Sequence, residues 1–263
     1  MRIMNAPRAE NAAADRQRIW PVALLIMALV VLALFGRSLQ PGQVVFANDA
    51  PLGAVAAQAE YPLRAFTGYW QDLNWLGIQQ PSAVPGPTQA LFIVAGPLVW
   101  GTQGAVVFAK LYAPLALLLT GLAGYFLARS LRLGWVGALL VGLAALLNSD
   151  SFSHACWGLP SVSLGLAATL VAVGMVQRSS GAAGAWAWVH LVLAGFAVGL
   201  GVMESYDVGA ILSLYVAAFV MFQALNGEGK PLMRVARGTG AVVLVAAAAV
   251  FISAQALSTL VGT

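Results

Sequence analysis

The chain has 263 residues, 60% of them hydrophobic and only 8% charged, against roughly 25% charged in an average soluble domain. One soluble core cannot hide that much apolar surface, so composition excludes a soluble fold. The net charge of +4 suggests nucleic acid only until it is mapped, because in membrane proteins Lys and Arg mark cytoplasmic loops.

Residues 1–18 read as a cytoplasmic basic tail carrying Arg2, Arg8, Arg16 and Arg18. The apolar stretch after it is long enough to stay as a helix, so no cleavable signal peptide is expected. Residues 19–263 then read as a single transmembrane domain, with spans expected at 19–36, 103–131, 134–148, 161–177, 186–203, 208–225 and 241–260. Most approach the roughly 20 residues needed to cross a hydrocarbon core. The expected fold is an all-α integral membrane protein of about seven transmembrane helices. A long first outer loop, 37–104, would contain membrane-surface helices. Thr88–Trp100 is apolar but short for a span and carries Gly96-Pro97, which fits an interfacial or partly re-entrant segment.

Charge tests this layout. With a cytoplasmic N-terminus, the inside carries Arg2, Arg8, Arg16, Arg18, Arg129, Arg132, Arg178, Lys230, Arg234 and Arg237, and the outside only Arg37, Arg64 and Lys110. Every inner loop contributes, as the positive-inside rule requires. Most acids sort to the outer face, among them Asp49, Asp72, Asp150, Glu204 and Asp207.

In chain order, Asn48-Asp49-Ala50-Pro51 comes first. Asp49 can cap the helix-favouring run Leu52–Gln58, or stand as a general base or metal ligand at the membrane surface. Tyr69–Gly77 mixes aromatics with Asp72 and Asn74. An interfacial helix is the plain reading, and a sugar-binding surface of aromatic faces beside Asp72 and Asn74 is the sharper one. Lys110 either snorkels to the headgroups or faces the bundle to hold a lipid phosphate, a role for which Arg64 and Arg37 compete. Pro114, one turn later, is expected to bend the span. Ser151–Pro160 reads as a compact outer loop in which Trp157 anchors at the interface. His154 there bonds loop carbonyls or donates to a phosphate; with Cys156, the only cysteine, it does not make a zinc site. In Met203-Glu204-Ser205-Tyr206-Asp207 the two acids share a face if the turn is helical. Acids this near the apolar layer are functional candidates, against the plainer reading of a solvated turn. No Walker loop, dinucleotide fingerprint, GxSxG elbow or HExxH helix is present.

The order of Phe46-Ala-Asn-Asp49-Ala-Pro-Leu-Gly, Asp72-Leu-Asn-Trp-Leu-Gly77, Ala109-Lys-Leu-Tyr-Ala-Pro-Leu-Ala116, Ser153-His-Ala-Cys-Trp-Gly-Leu-Pro160 and Met203-Glu-Ser-Tyr-Asp-Val-Gly-Ala210 resembles membrane glycosyltransferases of the GT-C fold. In detail it resembles the YfhO-like bacterial membrane proteins, with the seven spans matching their N-terminal membrane module. That resemblance implies transfer of a sugar from a polyprenyl-phosphate carrier to an unidentified acceptor, outside the bacterial cytoplasmic membrane. It makes Asp49 the catalytic base or ligand, with Glu204 and Asp207 as supporting acids. Lys110 and His154 would contact phosphate, and Arg64, Asp72, Trp75 and Trp157 complete the candidate substrate-binding set. A divalent cation, Mg²⁺ or Mn²⁺, is compatible with Asp49. The expected partners are the lipid bilayer and the lipid-linked sugar, not nucleic acid. Two competing expectations are a lipid or solute transporter coupled through Glu204 and Asp207, and a non-catalytic membrane subunit that recruits a partner through its loop.

Overall fold

A computed structural model describes residues 6–45, 47–49, 52–53, 56, 69–71, 78–80 and 86–262. Its helices are α1 (Ala6–Phe35), α2 (Pro87–Trp100), α3 (Gly104–Ser130), α4 (Trp135–Leu146), α5 (Ser149–Trp157), α6 (Pro160–Gly181), α7 (Ala185–Glu204), α8 (Tyr206–Leu225) and α9 (Pro231–Gly262). Five helical segments are long and apolar enough to cross a membrane, six if the bent pair α4–α5 is one span. Trp20–Phe35 forms a shorter apolar stretch. Leu25, Leu140, Leu214 and Phe251 are more than half exposed, which in water would be prohibitive and in lipid is the expected outer surface. The molecule is an α-helical membrane protein.

Two apolar cores run through the bundle. Met27, Leu117, Leu146 and Ala155 close the first, among α1, α3, α4 and α5. Ala172, Val176, Ala194, Val216 and Val245 close the second, among α6 to α9. Small residues set the spacing, as expected where helices must pack without a hydrophobic drive between them. A Cβ on Gly195 would fall 2.5 Å from the Val245 carbonyl oxygen, and one on Gly199 2.6 Å from that of Ala249. Gly195-Phe-Ala-Val-Gly199 is therefore a GxxxG face laid against α9.

Two segments depart from the sequence expectation. Ser149–Trp157, read as a loop, is the helix α5, set at 41° to α4. Asn148 starts it by accepting the amides of Asp150 and Ser151, and Gly158 at φ 98° ends it. Tyr69–Gln71, read as part of an interfacial helix, is a strand paired antiparallel with Ile78–Gln80. Pro114, expected to bend its span, lies buried within α3, which continues on both sides of it. Lacking an N–H, it leaves the Lys110 carbonyl without its helical donor.

The short apolar segment before α3 is the helix α2, which folds back on the helix that follows. Phe92 stacks on Phe108 with ring centroids 4.0 Å apart, and Gly96 meets Gly104 backbone to backbone. The turn between them passes through Gly101 at φ 52°. Helix α1 begins at Ala6, within the stretch read as a tail.

Candidate functional site

Helix connectivity divides the polar residues between the two ends of the bundle. Arg178 bonds Ser130 and lies over Phe126, while Arg234 bonds the carbonyls of Leu225 and Gly229. These basic groups occupy one end. At the other lie Asp49, Lys110, His154, Glu204 and Asp207, where α1 ends, α3 begins and α7 turns into α8.

Asp49 is fixed through its backbone. Its N–H donates to the Trp157 carbonyl at 2.8 Å, which docks the first outer loop on the C-terminus of α5. Its Oδ1 accepts from the Asn48 side chain at 2.8 Å, and the residue stays exposed. Leu52, Gly53 and Ala56 are helical, as the run after Asp49 suggests. Trp157 is 59% exposed, so its indole is free to face a lipid surface while its carbonyl holds the loop.

Lys110 donates to the carbonyls of Leu39, at 3.3 Å, and Gln40. It ties the exit of α1 to α3, so its charge is spent on backbone oxygens. His154 Nδ1 bonds the Asp150 carbonyl oxygen at 3.0 Å and lies 3.6 Å from the Asp150 carboxylate. Since a carbonyl only accepts, Nδ1 carries the hydrogen. His154 is thus held by its own helix, as the plainer reading had it.

Glu204 and Asp207 do not share a helical face. Ser205 between them is extended, φ −147° and ψ 97°, because α7 and α8 reverse there. Gly209 makes the reversal possible, as a Cβ on it would fall 2.4 Å from the Gly201 carbonyl oxygen. Asp207 turns back on its own helix start, where Oδ1 accepts from the Val208 amide at 2.8 Å and weakly from the Ser205 hydroxyl. That is the solvated-turn reading.

Glu204 goes elsewhere. Its Oε1 accepts both the amide and the hydroxyl of Thr88, at 2.8 and 2.7 Å. Thr88 is the second residue of α2 after Pro87, and Gly86 before it has no side chain with which to cap. The carboxylate therefore caps α2 from another helix and meets the positive end of its dipole. A Cβ at position 86 would fall 2.8 Å from Glu204 Oε2, so glycine is what lets this strap lie on the acid. Tyr112, hydrogen-bonded to Ser161, stands within electrostatic reach of Glu204. Lys110 and Tyr112 are two residues apart and so on opposite faces of α3. Lys110 faces the exit of α1 while Tyr112 faces Ser161 and Glu204, so the cation and the acid lie on opposite sides of α3.

The second oxygen, Oε2, is buried and has no hydrogen-bond partner among the described residues. Glu204 and Pro87 also close one end of a groove of about 500 Å³. Its walls are Leu119, Leu122, Ala123 and Phe126 of α3, Leu164, Ala167, Ala168, Val171 and Met175 of α6, and Leu200 of α7. Leu119 and Leu200, 47% and 42% exposed, leave its side open. Sequence reasoning identified the acid but not this groove or Thr88, whose partner lies 116 residues away.

Arg64, Asp72 and Trp75 lie outside the described residues. Among those described, no three His, Cys, Asp or Glu side chains gather as a metal site. No protein-family model, no curated protein and no solved structure matches the chain.

Proposed function

We propose that this chain is a membrane glycosyltransferase module that moves a sugar from a polyprenyl-phosphate carrier to an acceptor hydroxyl on the extracytoplasmic face of a bacterial cytoplasmic membrane. It would cross that membrane seven times from a cytoplasmic N-terminus. The observation that supports the reading is the fixing of Asp49: the loop is held by a backbone bond to Trp157 while its carboxylate stays exposed. A base must be both positioned and accessible. Asp49 takes the proton as the acceptor oxygen attacks the anomeric carbon, and the bond from that carbon to the carrier phosphate breaks. The ring of His154, whose Nδ1 is already engaged, reaches the departing phosphate through Nε2 as a donor only when protonated. Glu204 and Asp207, each held by other groups, take no part in the step.

The test is Asp49→Asn in proteoliposomes supplied with a radiolabelled polyprenyl-phosphate sugar. Transfer falls by about a hundredfold or more, the scale of a lost general base. Unchanged transfer removes Asp49 from the mechanism. A transporter instead gives flux that is insensitive to Asp49 and abolished by Glu204→Gln.

A further inference from the structure

Where α3 and α6 end, two arginines cross between them. Arg178 of α6 reaches α3: its Nε donates to Ser130 Oγ at 3.0 Å, and its guanidinium lies 4.3 Å over the centre of the Phe126 ring. Ser130 gives its own hydrogen to the Phe126 carbonyl at 2.9 Å, which leaves its lone pairs for the cation. Gly174, one turn before Arg178, makes the seat. A Cβ there would fall 2.5 Å from Phe126 Cε1 and 3.3 Å from Ser130 Oγ. Arg132 crosses the other way, and its Nη2 lies 3.8 Å from where a Cβ on Gly181 of α6 would stand. Gly181 and Arg178 are three residues apart on one face of α6, so both guanidinium groups occupy the same corner.

Arg132 holds φ 64° in the turn that ends α3, where Leu133 N–H donates to the Ala128 carbonyl and Arg132 N–H to that of Arg129. Glycine is the usual residue at that point, because the left-handed conformation is costly for any other. Neither cation has an anion: among the described residues the one ion pair is His154 with Asp150, at the other end. Arg132 has no hydrogen-bond partner among them either. Trp135 and Trp186 follow Arg132 and Gly181 within a few residues and are 43% and 68% exposed. Tryptophans so placed mark the headgroup level. The corner therefore opens where lipid phosphates lie, and charge that served only to orient the chain would need no such seat.

We propose that this corner is a binding site for the phosphate of an anionic glycerophospholipid, held by Arg178 and Arg132. A guanidinium offers paired N–H donors that match phosphate oxygens. Ser130 takes only Nε of Arg178, so its two terminal amino groups stay available to the ligand, and the acyl chains remain in the bilayer. The site is independent of the transfer reading, since it uses neither Asp49 nor α5.

The experiment is photolabelling of the purified full chain in phosphatidylcholine nanodiscs containing a trace of phosphatidic acid with a diazirine beside the glycerol. Label falls saturably on peptides carrying Phe126–Arg132 and Gly174–Gly181. Unlabelled phosphatidic acid displaces it, and millimolar inorganic phosphate does not. Arg178→Gln and Arg132→Gln each weaken apparent affinity about tenfold, the size of a lost charge-assisted hydrogen bond. Arg178→Lys keeps the charge but loses the fork that Ser130 holds, and also weakens binding. Arg129, bonded to the Leu133 carbonyl at 2.7 Å, is the control, and Arg129→Gln leaves the affinity unchanged. Arg132 is exposed, so its variant folds even if those of Arg178 do not. Equal loss in Arg129→Gln and Arg178→Gln, with Arg178→Lys at parental affinity, marks a diffuse basic surface and overturns the proposal. Displacement by inorganic phosphate assigns the corner to a soluble ligand and overturns it too. So does label unchanged in either Arg178→Gln or Arg132→Gln, the behaviour of ordinary boundary lipid.

Discussion

Thr120 carries a hydroxyl that donates to its own helix at Ala116 and across to the Ser163 carbonyl, at 2.8 and 2.9 Å. Ser163 in turn donates to the Ser151 carbonyl. All three side chains are buried, and together they stitch α3, α6 and α5. Thr120→Val keeps the shape and removes the bond. The expected cost is about 1 kcal/mol, typical of interhelical bonds in membranes, read as a lowered midpoint in denaturant titrations in bicelles. Gly86→Ala should push the Glu204 carboxylate off Thr88 and free the start of α2, seen as faster proteolytic cleavage near Pro87. At this scale the sequence was legible for what a residue is, but not for whom it meets. An acid near the apolar layer could be picked out at Glu204, and a lone lysine at Lys110. Whether each faced a ligand depended on Thr88 and on the Leu39 and Gln40 carbonyls, far along the chain and without any local signal.

Between residues and the bundle, glycine decides how closely helices approach. Gly199→Val would drive a branched side chain into the Ala249 carbonyl, 2.6 Å from the first added carbon. The obstacle is backbone, which cannot rotate away. Overpacking of this kind costs about 1–3 kcal/mol, and the purified variant should unfold at lower temperature with α7 and α9 parted. Asn148→Ala removes the cap that starts α5, at about 1 kcal/mol, and should loosen the docking of Asp49 on Trp157. Most of the long apolar helices were legible from their runs alone. The helix at Ser149–Trp157 was missed because its composition is polar, although Asn148 before it and Gly158 after it are the ordinary start and stop signals. The strand at Tyr69–Gln71 was missed because its partner, Ile78–Gln80, lies beyond a six-residue interval with no turn signature tight enough to announce a hairpin.

For the whole molecule, the distribution of charge was the most informative property of the sequence. It separates the Arg129, Arg132 and Arg178 end from the Asp49, His154 and Asp207 end, and the helix packing keeps these groups apart in the same way. If the basic end is cytoplasmic, then in a Cys156→Ser background an impermeant maleimide should label Ser149→Cys on intact cells. Ser180→Cys should react only after permeabilisation, and the reverse pattern would invert the orientation. The two cores carry a further consequence, for synthesis. Helices α1 to α5 can close around Met27, Leu117 and Leu146 before α9 has left the ribosome, since domains built from contiguous segments tend to form in order. The groove, however, takes one wall from α3 and the other from α6 and α7. A half-made chain has no such groove, so its formation marks the docking of the late half on the early one.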